Sequence, residues 1–214
     1  MGLAISIGVL ADRLENDPEG AEWFEEDLAA ANRLLVSQGL PPHIEPRELR
    51  PPRPRASLFS VPYSFVHHLR RAYAHRASQP TWIATPVAEG VDPTTDPALQ
   101  AQLDLLESHL ICHSDAEGFY LPIDFPDVIF AGPDDTDLPG GMLGSSHQLL
   151  KELVLVAPAL GIHLSGDHLS DAEAARIDGL ACKDKGLFRE LSSWLLLYEA
   201  ARRSIQYKTA IVFS

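Results

Sequence analysis

The 214-residue sequence has few cysteines and no long hydrophobic run. Its two cysteines, Cys112 and Cys182, do not form a Cys-x-x-Cys pair. This argues against a disulfide framework and against a cysteine-based metal centre. No stretch approaches the roughly 20 apolar residues that cross a bilayer. These absences disfavour small disulfide-rich and integral membrane proteins and predict a reducing, cytoplasmic environment.

The motifs of several common enzyme classes are also missing. The sequence contains no His-Glu-x-x-His zinc motif, no Gly-x-Gly-x-x-Gly dinucleotide motif and no phosphate-binding loop with its lysine. It also lacks the Gly-x-Ser-x-Gly elbow of the α/β-hydrolases. We therefore expect no cofactor, and no catalytic class is indicated by a motif.

Lysine and arginine are absent from residues 77–150, which hold twelve acidic residues, whereas residues 47–76 contain seven arginines and one acid, Glu48. The formal net charge is −13. An acidic segment repels phosphates, so we expect no nucleic-acid partner. Two interpretations remain. Either the basic segment packs beside the acidic one, or an acidic face binds a basic partner or a cation.

Hydrophobic periodicity predicts a helix-dominated α+β fold with a small mixed or antiparallel sheet, in a single globular domain over residues 1–214. Residues 41–56 contain six prolines and four arginines, which predicts an extended connector. Short strands are expected near residues 81, 120, 129, 162 and 211.

Two helices have distinctive patterns. Asp17-Pro18 predicts a helix start, and Trp23 lies off the apolar stripe of that helix, so we expect it to pack against a neighbour. The most hydrophobic helix is expected over residues 187–205. A helix of this composition belongs in the core centre or at a homodimer interface.

The strongest concentration of reactive side chains lies between residues 107 and 130. A leucine stripe predicts one helix from Asp96-Pro97 to His113, followed by a strand near Tyr120. Loop residues at such a junction often carry function. The candidates for a catalytic or ligand-binding pocket are His113, Asp115, Glu117, Tyr120 and His147.

Arg70 falls beside the apolar stripe of a helix that begins near Pro62. A guanidinium in that position needs an acidic partner or a route to water. We expect one of the central carboxylates to supply this partner.

His109 and His113 are spaced four residues apart, as two zinc ligands on one helix face are. No third ligand follows at a diagnostic spacing. We therefore expect no metal site, and these two histidines are the candidates if one exists.

A glycine-rich stretch precedes the next helix, and its Gly144, Ser145 and Ser146 could hold an anion at the helix N-terminus. Helix capping in a flexible loop explains the same three residues without a ligand.

These observations predict an acidic, cytoplasmic, non-enzymatic protein-interaction module that binds the basic surface of a protein partner. In charge and size the chain resembles inhibitors and immunity-type antitoxins, without a shared motif. The alternative is an enzyme or small-ligand-binding protein, metal-dependent or not, with a pocket around residues 109–120 and 147. A membrane is not an expected partner, and a homodimer through residues 187–205 is left open.

Overall fold

The structure is a computed structural model that describes residues 2–52, 54–58, 60–133 and 137–214. Arg53 of the predicted connector and Asp134 and Asp135 of the acidic segment lie outside the described residues. The described part contains eight α-helices, with 52% of the residues helical, and a six-stranded mixed sheet. The prediction of a helix-dominated α+β fold is therefore confirmed.

Along the chain, helices and strands do not alternate regularly. The α-helices are α1 (Val9–Asn16), α2 (Pro18–Ser37), α3 (Tyr63–Ser78), α4 (Pro97–Leu105), α5 (His109–Cys112), α6 (Ser146–Val156), α7 (Asp171–Ala181) and α8 (Phe188–Tyr207). Short 3₁₀ turns cover Pro93–Thr95, Pro139–Gly141 and Ala157–Leu160. The strands are β1 (Leu3–Ile7), β2 (Ser60–Val61), β3 (Gly118–Leu121), β4 (Ile129–Phe130), β5 (Met142–Ser145) and β6 (Ile211–Phe213).

The sheet has the strand order β2-β1-β6-β3-β5-β4. Only β3 and β5 pair in parallel, and the other neighbours are antiparallel. Because successive side chains of a strand point to opposite faces, the sheet separates two apolar clusters. Phe119 and Leu121 of β3 belong to the cluster beneath α1 and α2. Tyr120 belongs to the cluster under α3, α6, α7 and α8. Helices α1 and α2 therefore form a separate layer on one face of the sheet.

Helix α8 occupies the centre of the larger cluster and packs against α3, α6 and α7. Fifteen of its 20 residues are buried within the chain itself, and Trp194 donates a hydrogen bond from Nε1 to the Leu153 carbonyl at 2.8 Å. Of the two positions predicted for this helix, the core centre and a homodimer interface, the structure shows the core centre. A homodimer through residues 187–205 is not supported, because the apolar face is already covered by the protein's own helices.

The predicted continuous helix from Asp96 to His113 is wrong, because it breaks at Leu106, which has a positive φ of 56°. Helix α5 then starts anew at His109. The Glu152 carboxylate of α6 accepts hydrogen bonds from the backbone N–H groups of His109 and Leu110 at 2.9 and 2.7 Å. The Ser108 hydroxyl caps the new helix locally by accepting from Ile111 N–H at 3.1 Å. The leucine stripe continues across the break and hid this local signal, and the contribution of Glu152 comes from a distant residue.

The strands predicted near residues 120, 129 and 211 are confirmed as β3, β4 and β6, whereas those near 81 and 162 are wrong. The segment near residue 81 is irregular, and a hydrogen bond from Ala84 N–H to the Ala159 carbonyl attaches it to the fold. Strand β5 was not predicted, because its glycines made residues 140–146 look like a loop.

The described connector residues between 41 and 56 form no helix or strand. Buried Glu45 holds one end, since it accepts hydrogen bonds from the Thr209 hydroxyl and from Ala210 N–H. Arg55 holds the other end through Glu199 of α8, at 2.7 Å between Nη2 and Oε1. Across the described residues, no helix has the length and apolarity that a membrane crossing requires.

Candidate protein-interaction face

Helix α2 is the main element of the outer layer. Its start is fixed locally, because the Asp17 side chain accepts from Gly20 N–H and Pro18 occupies the first turn, as predicted. Phe24 points inward and meets Phe119 of β3 edge-on, with ring centroids 5.9 Å apart. The opposite side of α2 is exposed to solvent.

Three exposed carboxylates follow one another along that outer side. Glu19, Glu22 and Glu26 are spaced by three and four residues, so they are neighbours on one helix face. At 1.5 Å rise per residue they lie about 4.5 and 6 Å apart along the helix axis. The helix therefore presents a linear array of negative charge.

Two carboxylates from the acidic central segment extend this array. Burial raises the pKa of Asp27, and the negative charges of Glu26, Glu117 and Asp137 raise it further against the opposing charge of Arg13. These charges come from three chain segments and each lies within electrostatic range of Asp27. The pair between Arg33 of α2 and Asp137 also places that carboxylate beside the helix. We call this set the α2 acidic face, and it comprises Glu19, Glu22, Trp23, Glu26, Asp27, Glu117 and Asp137.

The positive charges around this face are few. Residues 9–37 contain eight acidic residues against two arginines. The connector adds two more cations, because Arg47 pairs with Glu25 of α2 and Arg50 with Glu15 of α1, both outside the face. Arg33 pairs with Asp137, and both side chains are 59% exposed, so the pair contributes little stability. Arg13 donates to the Gly20 carbonyl at 2.7 Å. The α2 acidic face thus keeps an excess of negative charge.

The acidic central segment is partly neutralised elsewhere, by α3 rather than by the connector. Buried Arg70 donates to the carbonyls of Leu110 and His113 at 2.8 and 2.6 Å and pairs with Asp115. Arg71 pairs with Asp96 at 2.7 Å. The expectation that Arg70 takes a central carboxylate as its partner is confirmed. The interpretation that the basic segment packs beside the acidic one therefore holds for Asp96 and Asp115.

The same contacts define the surroundings of His113. Its ring is 2% exposed, stacks on Tyr120 with centroids 4.2 Å apart and meets Phe213 at 4.3 Å. Burial lowers the pKa of His113 to about 3, so the imidazole is neutral near pH 7. One ring nitrogen, Nε2, is buried without a hydrogen-bond partner among the described residues. These contacts give His113 a packing role.

The predicted pocket residues are divided between different environments. His113 and Asp115 line a cavity of about 310 Å³ with Arg70 and His67. Tyr120 is buried and donates its hydroxyl proton to the His109 carbonyl at 2.9 Å, while Glu117 is exposed on the α2 acidic face. Within the described part of the chain, Tyr120, Glu117 and His147 do not line this cavity. The catalytic assignment of the five residues remains a prediction.

The side chain of Asp115 is held in its ionised form. Burial opposes ionisation, but the hydrogen bond from His67 and the charge of Arg70 outweigh it and lower the pKa of Asp115 to about 2. Its two oxygens contact Arg70 and His67, with 3.1 Å to His67 Nε2. The Asp115 carboxylate is therefore the ion-pair partner of Arg70 and His67 on α3.

Gly144, Ser145 and Ser146 lie in the sheet and at the start of α6, and all three are buried. Ser145 N–H donates to His109 Nδ1 at 3.0 Å, and its hydroxyl donates to the Ile123 carbonyl at 2.7 Å. The Ser146 hydroxyl pairs with that of Ser204 at 2.7 Å. Their polar groups are thus used within the fold, and an anion site at these residues remains a prediction without further support.

The two histidines considered as metal candidates do not share a helix face. His113 lies beyond the end of α5 with extended backbone angles, whereas His109 is its first residue. Both ring nitrogens of His109 are engaged, since Nδ1 accepts from Ser145 N–H and Nε2 lies 3.1 Å from the Pro126 carbonyl. Within the described ranges, no group of three or more His, Cys, Asp or Glu side chains is arranged to hold a metal ion.

Sequence reasoning missed the exposed side of α2. The charge distribution pointed to residues 77–150 and not to α2. The expectation that Trp23 packs against a neighbour is wrong, because its side chain is 60% exposed. The available signal was the position of Trp23, three and four residues from Glu26 and Glu19 and outside the apolar stripe.

A comparison with protein families gives one match over nearly the whole chain. A family model described as "Putative DNA-mimic protein" matches residues 1–213. No curated protein and no solved structure matches the chain.

Proposed function

This chain belongs to that DNA-mimic family, and from this premise we propose that its α2 acidic face occupies the DNA-binding surface of a basic protein. The chain would act as a non-enzymatic interaction module that competes with DNA. The single observation that supports this role best is the row of exposed carboxylates on α2, with Asp137 placed beside that helix by its pair with Arg33 and Glu117 within electrostatic range of Asp27.

The geometry of α2 suits such a competitor. A strand of B-DNA carries one negative charge per 3.4 Å of helix axis. The carboxylates of Glu19, Glu22 and Glu26 follow one another at about 4.5 and 6 Å along α2. A protein surface with lysines and arginines arranged along a phosphate strand would meet a comparable row of charge.

The same charge explains the class of partner. A negative surface repels nucleic acid and attracts basic proteins, and charge complementarity mainly accelerates association and weakens as salt is added. The finer features of the proposal are a cytoplasmic location, where DNA-binding proteins work, and a partner that binds DNA through an Arg/Lys-rich surface.

Displacement of DNA from purified DNA-binding proteins tests the proposal. A helix-turn-helix repressor and a histone-like DNA-bending protein would each be bound to a fluorescein-labelled duplex, and fluorescence anisotropy would follow release of the duplex. We expect the wild-type chain to release DNA from at least one of these proteins at low salt and to lose potency as salt is raised.

The matched variants separate the α2 acidic face from total charge. Glu22→Gln/Glu26→Gln should weaken displacement by about tenfold or more, since each lost contact with a cationic partner is worth on the order of 1 kcal/mol. Asp167→Asn/Asp184→Asn removes the same charge from exposed acids elsewhere and should change it less than twofold. The proposal fails if the wild type releases neither duplex at low salt, or if the two double variants behave alike.

A further inference from the structure

The α2 acidic face contains one large apolar side chain, and it is exposed. Trp23 is 60% exposed, whereas Trp194 is fully buried and Trp82 stacks on His75 with ring centroids 4.7 Å apart. Exposed tryptophan is rarer than exposed polar residues, because the ring offers a large apolar area. Trp23 therefore stands out among the three tryptophans of this chain.

The residues around Trp23 are acidic. Glu22 precedes it, Glu19 and Asp27 lie one turn away on either side, and Glu26 follows after three residues. Arg13 and Arg33 are equally near in sequence. Arg13 stacks over Phe24, with its guanidinium 5.5 Å from that ring centroid, and Arg33 pairs with Asp137. Among the described residues the Trp23 indole has no cationic or aromatic partner within the chain. Its π-face is thus available and is surrounded by negative charge.

This combination matches the anatomy of a protein–protein contact. Tryptophan is enriched at the energetic centre of interfaces, where polar neighbours around the rim keep water out. A guanidinium stacks favourably on an indole, and arginine does so more often than lysine. A DNA-binding surface binds phosphates through arginine side chains, which present guanidinium groups together with their apolar stems.

Resting on the function proposed above, we propose that Trp23 is the anchor of the interface and stacks on an arginine of the partner's DNA-binding surface, while the carboxylates around it pair with neighbouring cations. The occupant of this face is therefore an arginine-bearing, DNA-binding protein surface. Charge supplies attraction, and the indole supplies a contact that a polyanion such as DNA cannot make in the same way.

The test uses the full-length chain and the DNA-binding protein from which the wild type displaces DNA. Trp23→Ala should raise the dissociation constant at least tenfold, because the change removes the anchor. It should leave the dependence of affinity on salt unchanged, because no charge is removed. Glu22→Gln/Glu26→Gln should instead reduce that salt dependence. Since Trp23 is mostly exposed, its removal should leave the thermal unfolding temperature nearly unchanged.

Two controls make the result specific. Val36→Ala trims another exposed apolar residue of α2, 56% exposed and about 20 Å farther along the helix axis, and should change affinity less than twofold. Poly-L-arginine and poly-L-lysine of equal length serve as defined probes, and Trp23→Ala should weaken binding to the arginine polymer more than to the lysine polymer.

The outcomes separate the two proposals. If the wild type displaces DNA and Trp23→Ala does so equally well, the anchor is overturned while the DNA-mimic role stands. An equal loss on both polymers overturns the arginine contact. If the wild type displaces no DNA at low salt, the DNA-mimic role itself fails.

Discussion

Gly144 of β5 lies directly beside Tyr120 of β3, and a Cβ built on Gly144 would come within 2.3 Å of Tyr120 Cδ1. The two residues are partners in the parallel strand pair. Only a residue without a side chain leaves room for this ring, whose hydroxyl ties β3 to α5 by donating to the His109 carbonyl. The glycine that made this segment look like a flexible loop is therefore a packing requirement of the sheet.

Gly144→Ala should destabilise the fold by about 1–3 kcal/mol or more, because the methyl group meets the ring of a buried tyrosine. The measurement is the free energy of unfolding in urea. Gly179→Ala is the control. Gly179 lies in α7 with no atom within 4 Å of a built Cβ, so alanine should stabilise the helix by about 0.5–1 kcal/mol. Similar effects of the two substitutions would contradict the close approach of β3 and β5.

Arg55→Ala should cost about 3–5 kcal/mol of unfolding free energy, because it leaves the 1%-exposed carboxylate of Glu199 without its main partner. Arg50→Ala removes an arginine of the same connector whose pair with Glu15 is 3.3 Å long and exposed on both sides, and should cost about 0–1 kcal/mol. Urea unfolding of both variants gives the comparison. Equal costs would mean that the connector is not attached to α8 through Arg55.

Acid should destabilise the protein through its buried histidines. Burial lowers the pKa of His68 to about 4 and that of His113 to about 3, whereas unfolded imidazoles have a pKa near 6.5. Between pH 6.5 and about 4 the unfolded chain binds more protons at these sites, so stability falls as the pH drops. The loss approaches about 1.4 kcal/mol per pH unit for each histidine.

The titration of Glu152 changes stability in the opposite direction over part of this pH range. Burial raises the pKa of Glu152 to about 7, so the folded state binds its proton more readily and stability rises as the pH falls from 7 towards 4.5. NMR titration measures the pKa of each imidazole directly, so the contribution of the histidines is distinguished from that of Glu152. The His68 and His113 resonances should stay neutral down to pH 5 in the folded protein and should titrate near 6.5 in urea. Folded-state midpoints above pH 5 would refute their burial.

Asp27→Asn should stabilise the isolated protein while weakening its proposed interaction. Burial is the largest cause of the raised pKa of Asp27, and the charge of Arg13 opposes it as the next largest. The negative charges of Glu26, Glu117 and Asp137 raise this pKa further. Neutralising it relieves like-charge repulsion, which is worth about 0.2–0.5 kcal/mol per neighbouring pair and is screened by salt. The unfolding free energy should therefore rise at low salt and rise less at high salt. A loss of stability at low salt would show that Asp27 is held mainly by attraction.

Local sequence signals predicted the parts of the fold that depend on neighbouring residues. Asp17-Pro18 predicted the start of α2 and the hydrophobic run predicted α8, because capping and apolar periodicity act within a few residues. The single predicted helix ending at His113 was wrong, because the chain breaks at Leu106 and a new helix starts after the Ser108 cap. The Glu152 carboxylate of α6 binds two further N–H groups of that helix. The Ser108 cap is a local signal that the leucine stripe obscured, whereas local patterns contain no information about Glu152.

The candidate interaction face was predicted only in part. An acidic surface for a basic protein partner followed from the charge distribution, but that distribution pointed to residues 77–150 rather than to α2. Glu117 was named only as a candidate for a catalytic or ligand-binding pocket. A carboxylate partner for Arg70 was predicted, but its identity as Asp115 became visible only when α3 was placed beside the central segment. The packing of His113 between Tyr120 and Phe213 likewise depends on how the strands are placed.

The sequence by itself determined the net negative charge, the segment free of lysine and arginine, and the amphipathic helix that carries Trp23. Tertiary structure decided that Asp137 pairs with Arg33 of α2 and that Glu117 lies within electrostatic range of Asp27, while Asp96 and Asp115 are neutralised by α3. It also decided that Trp23 points into solvent. The physical reason is that charge is a property of each residue, whereas its pairing or exposure depends on which distant segments pack beside it.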